Sequence, residues 1–289
     1  MRKGILLAGG FGSRLYPLTR GVNKHLLQIY DKPMIYYPLS TLMLANVRDI
    51  LLITNSSDID TYKKLFGDGK YLGINISYAI QERPEGVAQA FLIAEDFIKN
   101  HSSLLILGDN IFHGNQLIKQ LNNISEELDG ATVFAYPVKD PERYGVVEFD
   151  SKGKVLSLEE KPSKAKSKYV LTGLYFYDSS VVKKALKVRK STRNEFEITS
   201  INKQYLEEDN LNVIEMGRGT AWLDAGTHDA LHDASSYIKT LQQRQGLIIG
   251  CPEEIAWRKG WITSIELESI ANSLKKNFYS DYLYSLIEN

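Results

Sequence analysis

GILLAGGFGSRLYPLTRGVNK, residues 4–24, decides how the chain is read. Its apolar run, Ile5-Leu6-Leu7-Ala8, suits a strand buried on both faces. A glycine-rich turn follows, Gly9-Gly10-Phe11-Gly12, then Ser13 and Arg14, with Lys24 further on. Glycine lets backbone N–H groups come close to a ligand because no Cβ intervenes. Successive N–H groups in such a turn form an anion-binding concavity. Arg14 and Lys24 add two full positive charges, so the stretch predicts a polyphosphate site. Two common phosphate motifs fail here. No Gly-Lys-[Ser/Thr] triplet follows the turn, and Leu15 stands where a dinucleotide fingerprint needs its third glycine. A plain strand-to-helix turn would explain the glycines but not the clustered cations.

Outward from this loop, apolar runs at 4–7, 50–54, 74–79 and 104–107 alternate with helix-like segments near 34–45, 58–66, 87–99 and 115–127. That alternation predicts an α/β fold, Rossmann-like, with a mostly parallel central sheet and helices on both faces. Ligands bind such sheets beyond the carboxyl ends of the strands, where the glycine loop, Gln81 and Asp109 should gather. From Ala131 the texture changes to strands and turns, with Asp150-Ser151-Lys152-Gly153 reading as a hairpin turn and 168–177 as a long strand. Helices return near 179–188 and 196–207, and a last strand at 211–216 precedes the TAWLDAGT turn. From His228 onward the pattern is helical, broken at Pro252. The expected division is a catalytic unit at 1–227 and a helical extension at 228–289.

Lys and Arg total 35 against 35 Asp and Glu, so the formal net charge is zero. There is no general electrostatic case for nucleic acid or an anionic membrane, and an anion site must come from local placement. Cys251 is the single cysteine, which excludes an internal disulfide and fits a reducing compartment. The chain runs directly into a strand, and no apolar run approaches a membrane span, so a cytoplasmic location is expected.

Several residues carry candidate chemistry, each with a plainer reading beside it. A buried amide at Gln81 donates and accepts at once, matching the O4 and N3–H edge of thymine or uracil, though a solvated loop glutamine fits the spacing too. Gly86 would let the backbone approach a base. Asp109, at the exit of LLILGD, is a helix N-cap or a metal ligand. Asp224 in AWLDAGT is a second ligand candidate or a turn residue, and Glu159-Glu160-Lys161 alone reads as a solvated strand end.

GGFGSRLYPLT followed by Lys24 resembles the signature of the sugar-1-phosphate nucleotidylyltransferases. DKPMIYYPLSTLMLA, residues 31–45, is similar to the branch of that family that uses dTTP and glucose 1-phosphate, and further matches recur to about residue 261. The resemblance implies transfer of a nucleotidyl group from dTTP to a sugar 1-phosphate with release of pyrophosphate. It implies catalytic roles for Arg14, Lys24 and Lys161. Nucleotide contacts fall on Gly9, Gly10, Gly12, Ser13, His25, Gln81 and Gly86. Sugar contacts fall on Asn110, Tyr144, Gly145, Glu160 and Leu171, the last through its backbone. Asp109 and Asp224 would share a Mg²⁺ ion, and 194–199 would lie near the sugar or cap a helix. The attacking phosphate is already an anion, so no general base is needed and none is evident. UTP in place of dTTP stays open, because both bases share the edge that Gln81 reads. A catalytically dead nucleotide-sugar sensor would be expected to lack one of Arg14, Lys24, Asp109 or Asp224, and all four are present.

The chain departs from the family directly after Lys24, where His25 replaces the usual Gln and Gln28 replaces a Pro. An imidazole can donate as an amide does, and beside phosphates its protonated form would be favoured. The resemblance also implies a homotetramer built as a dimer of dimers. Phe278, Tyr279, Tyr282, Leu283, Tyr284 and Leu286 would then bury that contact, line a second, regulatory nucleotide site, or simply pack on the chain's own core.

Overall fold

The strand Lys3–Ala8 lies inside a nine-stranded sheet in the computed structural model, which describes residues 1–288. Its side chains alternate between two cores, as a strand's geometry demands. Leu6 packs with Leu52 and Ile106 on one face, and Ile5 with Leu51, Ile53 and Leu105 on the other. Lys3–Ala8 pairs in parallel with Asp49–Thr54 on one side and Ser103–Leu107 on the other, and Asn75–Ile80 extends the first side. The chain therefore builds outward, returns, and crosses to the opposite flank. The gap between Lys3–Ala8 and Ser103–Leu107 is a topological switch point, where such sheets open a crevice beyond the strand ends.

Helices Tyr36–Leu44 and Ile59–Phe66 link the parallel strands. The expected helix at 87–99 is broken into Gln89–Ile93 and Glu95–Ile98, and that at 115–127 shortens to Leu117–Asn122. Two asparagines at 122–123 end the latter, consistent with their preference for turns over helix interiors. Beyond residue 131 the new pairings are largely antiparallel. Tyr169–Tyr177 pairs antiparallel with Ser103–Leu107, Ala131–Pro137 and Gly145–Phe149, while Leu211–Glu215 joins Ala131–Pro137 in parallel. The hairpin from Gly145–Phe149 to Val155–Glu160 closes on Asp150, whose carboxylate accepts from the N–H groups of Lys152 and Lys154.

The segment expected as a TAWLDAGT turn is instead the strand Thr220–Asp224, paired antiparallel with Asn110–Gly114. This small second sheet needs a partner more than a hundred residues away, so no local pattern announces it.

After Thr227, which caps the helix His228–Gln245 by accepting from the Ala230 N–H, the chain is helical as expected. Pro252 opens the helix Pro252–Arg258, and Ser264–Ser273 and Phe278–Glu288 follow. Cys251, Ala256, Leu267, Ala271, Tyr282 and Leu283 join one continuous core with Leu39, Leu42 and Met43. Tyr279 donates to Glu253 and Tyr282 to Glu254. Most of the tail's aromatic surface is thus spent within its own chain, and among its aromatic side chains Phe278, at 65% exposure, stands out to solvent. A cavity of about 430 Å³ does lie beside the extension, but Pro252–Arg258 lines it with Tyr37, Leu44 and Phe112, and the last helix does not. No helix among the described residues is long and apolar enough to cross a membrane.

Candidate active site

The glycine loop leaves Lys3–Ala8 and enters the short 3-10 turn Ser13–Leu15 with no α-helix behind it. Any anion bound here relies on backbone N–H groups and cations, without a helix dipole. Gly12 has φ of 64°, a left-handed conformation natural to glycine, and its carbonyl accepts from Thr19 Oγ1 at 2.8 Å. At Gly9 a Cβ would fall 2.1 Å from Gln81 Oε1, so glycine lets the loop and Gln81 lie against each other. Gly10 faces the Lys24 side chain, and Arg14 reaches across to Gly226 beside Asp224.

Asp109 follows Ser103–Leu107 after Gly108 and precedes the strand Asn110–Gly114, which excludes the helix N-cap reading. It is 6% exposed and pairs with Lys24 Nζ at 2.5 Å, and Asn110 Nδ2 donates to its other oxygen at 2.8 Å. Burial pushes the Asp109 carboxyl up, but the Lys24 ammonium and these hydrogen bonds outweigh it and hold it well below the usual range. Asp224 pairs in register with Asn110, which sets the second carboxylate beside the first. Burial, then the Asp109 charge, raises Asp224 to about 6, although Lys24, Arg14 and Arg143 pull the other way. Asp109 has its own cation in Lys24, whereas Asp224 beside it is poorly neutralised, and two neighbouring carboxylates so placed suit a hard divalent cation. No group of three or more His, Cys, Asp or Glu suited to a metal occurs among the described residues. An ion here would share its coordination with phosphate oxygens and water, as Mg²⁺ commonly does.

Two cavities meet at Asp109. One, of about 270 Å³, is lined by Leu7, Gly10, Lys24, His25, Gln81 and Gly86. The other, of about 240 Å³, is lined by Arg14, Tyr144, Gly145, Glu160, Lys161 and Asp224, with Asn110 and Leu171 at its wall. Glu195 borders both. Gln81 is 3% exposed, so the solvated-loop reading falls, and its Nε2 donates to Gln89 Oε1 at 2.7 Å. Glu160 accepts from Thr199 Oγ1 and from Arg193, and Lys161 sits nearby at 3.9 Å with a left-handed φ of 40°. Gly9 lies against Gln81, and Gly12 and Ser13 carry the loop on into its 3-10 turn.

Asn110 lines the second cavity, and its Oδ1 accepts from Trp222 Nε1 at 2.6 Å and from the Gly173 N–H at 3.0 Å, while its Nδ2 holds Asp109. The side chain braces the site, with one amide N–H left over. Within 194–199, Glu197 occupies the N-cap of Ile198–Glu207 but makes no side-chain cap bond. Instead the Phe196 backbone pairs with Glu85 and Ala88, locking this segment to the Gln81–Gly86 loop.

His25 also departs from expectation. It is 2% exposed, its Nδ1 lies 2.7 Å from Asn23 Oδ1, and burial followed by the Lys24 charge lowers its pKa to about 3. The ring is neutral near pH 7, and Nδ1 is the donor because the asparagine oxygen only accepts. His25→Gln is therefore expected to leave the pH–rate profile between about 6 and 8 unchanged. His25→Ala still costs roughly 10-fold in kcat/KM through lost packing and a lost contact. A profile that flattens in His25→Gln overturns the neutral assignment.

Gln89, Arg193, Arg143 and Trp222 were not singled out from sequence. Arg193 contacts Glu160, Glu195 and Glu197, and Arg143 lines the second cavity with Trp222. Only the carboxylate-rich run at 195–197 hinted that a cation was needed there.

A glycine loop and two cations facing paired carboxylates at a sheet switch point define a nucleotidyl-transfer site. The sequence matches the nucleotidyl transferase family over residues 3–240, and the chain belongs to that family. It is 54% identical over 286 residues to a glucose-1-phosphate thymidylyltransferase of Neisseria meningitidis, covering 99% of each chain. It is 52% identical to the Mycobacterium tuberculosis protein of that name, again over 99% of both. A solved Bacillus anthracis structure, described as a candidate glucose-1-phosphate thymidylyltransferase in complex with sucrose, superposes with a TM-score of 0.76. It is 40% identical, over 82% of this chain and 95% of that one. A UDP-glucose pyrophosphorylase bound to UDP-glucose shares the fold at a TM-score of 0.73 and 22% identity, over 83% and 99% of the two chains.

Proposed function

We propose that the protein transfers a thymidylyl group from dTTP to glucose 1-phosphate, giving dTDP-glucose and pyrophosphate. The observation that carries this reading is the meeting of two cavities at Asp109, with Gln81 lining one and Glu160 and Lys161 the other. A nucleotide whose base lies against Gln81 would bring its α-phosphate to Lys24. A hexose phosphate held by Glu160 and Lys161 would bring its phosphate oxygen to the same point. Arg14 would take the departing pyrophosphate. The nucleophile is an anion already, so the residues align and neutralise charge rather than move a proton. Alignment of two bound reactants supplies on the order of 7–11 kcal/mol, and electrostatic stabilisation much of the remainder. Asp109 and Asp224 would hold Mg²⁺, which would neutralise charge on the phosphate oxygens.

Release of pyrophosphate from dTTP, glucose 1-phosphate and Mg²⁺ tests the reading, and no release sinks it. UTP is the second donor to try, since Gln81 meets an edge that uracil also presents. A competition assay decides between them.

The same reading carries a cytoplasmic enzyme assembled as a homotetramer, with the helical extension and its exposed Phe278 near a contact between copies. Light scattering at micromolar concentration should report an oligomer, and a stable monomer rejects it.

A further inference from the structure

We propose that Gln89 sets the polarity of the Gln81 amide, and so makes the nucleotide cavity a reader of thymine and uracil but not of cytosine. This rests on the nucleotide reading of that cavity. A primary amide is nearly symmetric in shape and opposite in chemistry at its two ends. With its oxygen toward the base centre, Gln81 accepts from N3–H and donates to the neighbouring carbonyl. Rotated by half a turn, it donates to N3 of cytosine and accepts from the exocyclic amine. An unanchored glutamine therefore serves either pyrimidine, and something must hold it one way.

The anchor begins at a group that cannot be reversed. The backbone N–H of Glu85 can only donate, and it lies 3.0 Å from Gln89 Oε1, which fixes that atom as the oxygen. Gln89 Nε2 then faces the Glu85 carboxylate at 3.4 Å, which agrees with the same orientation. Lys190 holds that carboxylate at 2.5 Å. Gln81 approaches Gln89 Oε1 at 2.7 Å, and two facing oxygens would repel, so the Gln81 nitrogen lies there. Its own oxygen is left over Gly9, accepting no hydrogen bond from the described residues. Gln81 thus presents an acceptor, with its second N–H beside it, which is the complement of an N3–H and a carbonyl. Gln89 lines neither cavity and acts only through Gln81, so it is a positioning residue.

The test compares dTTP with dCTP, each with glucose 1-phosphate and Mg²⁺, by pyrophosphate release. The wild-type chain should prefer dTTP by about 10²-fold or more in kcat/KM, because the wrong base leaves buried polar groups unpaired. Gln89→Met keeps the length of the side chain and removes the acceptor. It should lower the preference at least about 10-fold, chiefly by gaining dCTP use, with KM for glucose 1-phosphate within about 2-fold of wild type. Should Gln89→Met lack a cooperative thermal transition, Gln89→Ala makes the same comparison. Unchanged preference in an active, folded Gln89→Met or Gln89→Ala overturns the inference and leaves the transferase reading standing. So does a wild-type chain that uses dCTP as readily as dTTP. A wild-type chain that releases pyrophosphate from neither overturns both.

Discussion

Asp109→Asn and Asp224→Asn are each expected to lower kcat by about 10²-fold or more, the usual cost of one lost charge contact in a transition state. Each change keeps the shape of the side chain and removes one full negative charge from a site suited to a divalent cation. Raising Mg²⁺ should recover part of the loss if the weakened step is metal use, and near wild-type rates for both variants would sink the shared-metal assignment. Stability separates this role from a structural one. Asp224 has its carboxyl raised from 3.8 to about 6 by burial and then by Asp109. A carboxyl raised in the folded state takes up protons on folding, so its favourable contribution is complete below about pH 4 and is lost as pH rises through about 6. Without metal or nucleotide, Asp224→Asn should therefore melt above wild type at pH 8, and the advantage should vanish by pH 4. A variant that is both inactive and less stable at pH 8 would place Asp224 in the scaffold.

Lys24→Gln and Lys24→Ala should cost more, about 10³-fold in kcat. Lys24 bridges the glycine loop and the carboxylates, its stem lying against Gly10 and Gly12 and its ammonium on Asp109. Its removal withdraws the positive charge proposed for the α-phosphate and leaves Asp109 buried without its cation, an arrangement costly in itself. Lys24 is the main group holding the Asp109 carboxyl low against burial, so its loss should move the acid limb of the pH–rate profile upward. KM for dTTP should change less than kcat, because the proposed contact to the base is made by Gln81 and not by Lys24. A kcat within 10-fold of wild type in Lys24→Gln would remove Lys24 from the chemistry.

The chain by itself determined the parts that depend on near neighbours. The buried strands were legible as apolar runs at 4–7, 50–54 and 104–107, and their alternation with helices implied the parallel half of the sheet. The glycine loop with Arg14 and Lys24 was legible as an anion site because backbone freedom and charge lie within one short stretch. The helical tail was legible from its periodicity from His228 onward, with a break at Pro252, while the structure added the Thr227 cap. Family resemblance then assigned roles that spacing alone left open, such as that of Glu160.

Tertiary structure decided whatever depends on pairing across long separations. Thr220–Asp224 becomes a strand only because Asn110–Gly114 offers it an edge, and that pairing is what brings Asp224 to Asp109. The aromatic tail looked like an interface from its composition, yet Tyr282 and Leu283 are spent on a core shared with Leu39 and Met43. His25 looked like a proton donor for phosphates until burial and Lys24 were seen to keep it neutral. Asn110 became a brace once Trp222 and Gly173 were found on its oxygen, and Gln89 entered only through its bond to Gln81. The reason is common to all of these. A propensity or a loop motif is set by residues adjacent in the chain, whereas desolvation, ion pairing and amide orientation are set by groups adjacent in space.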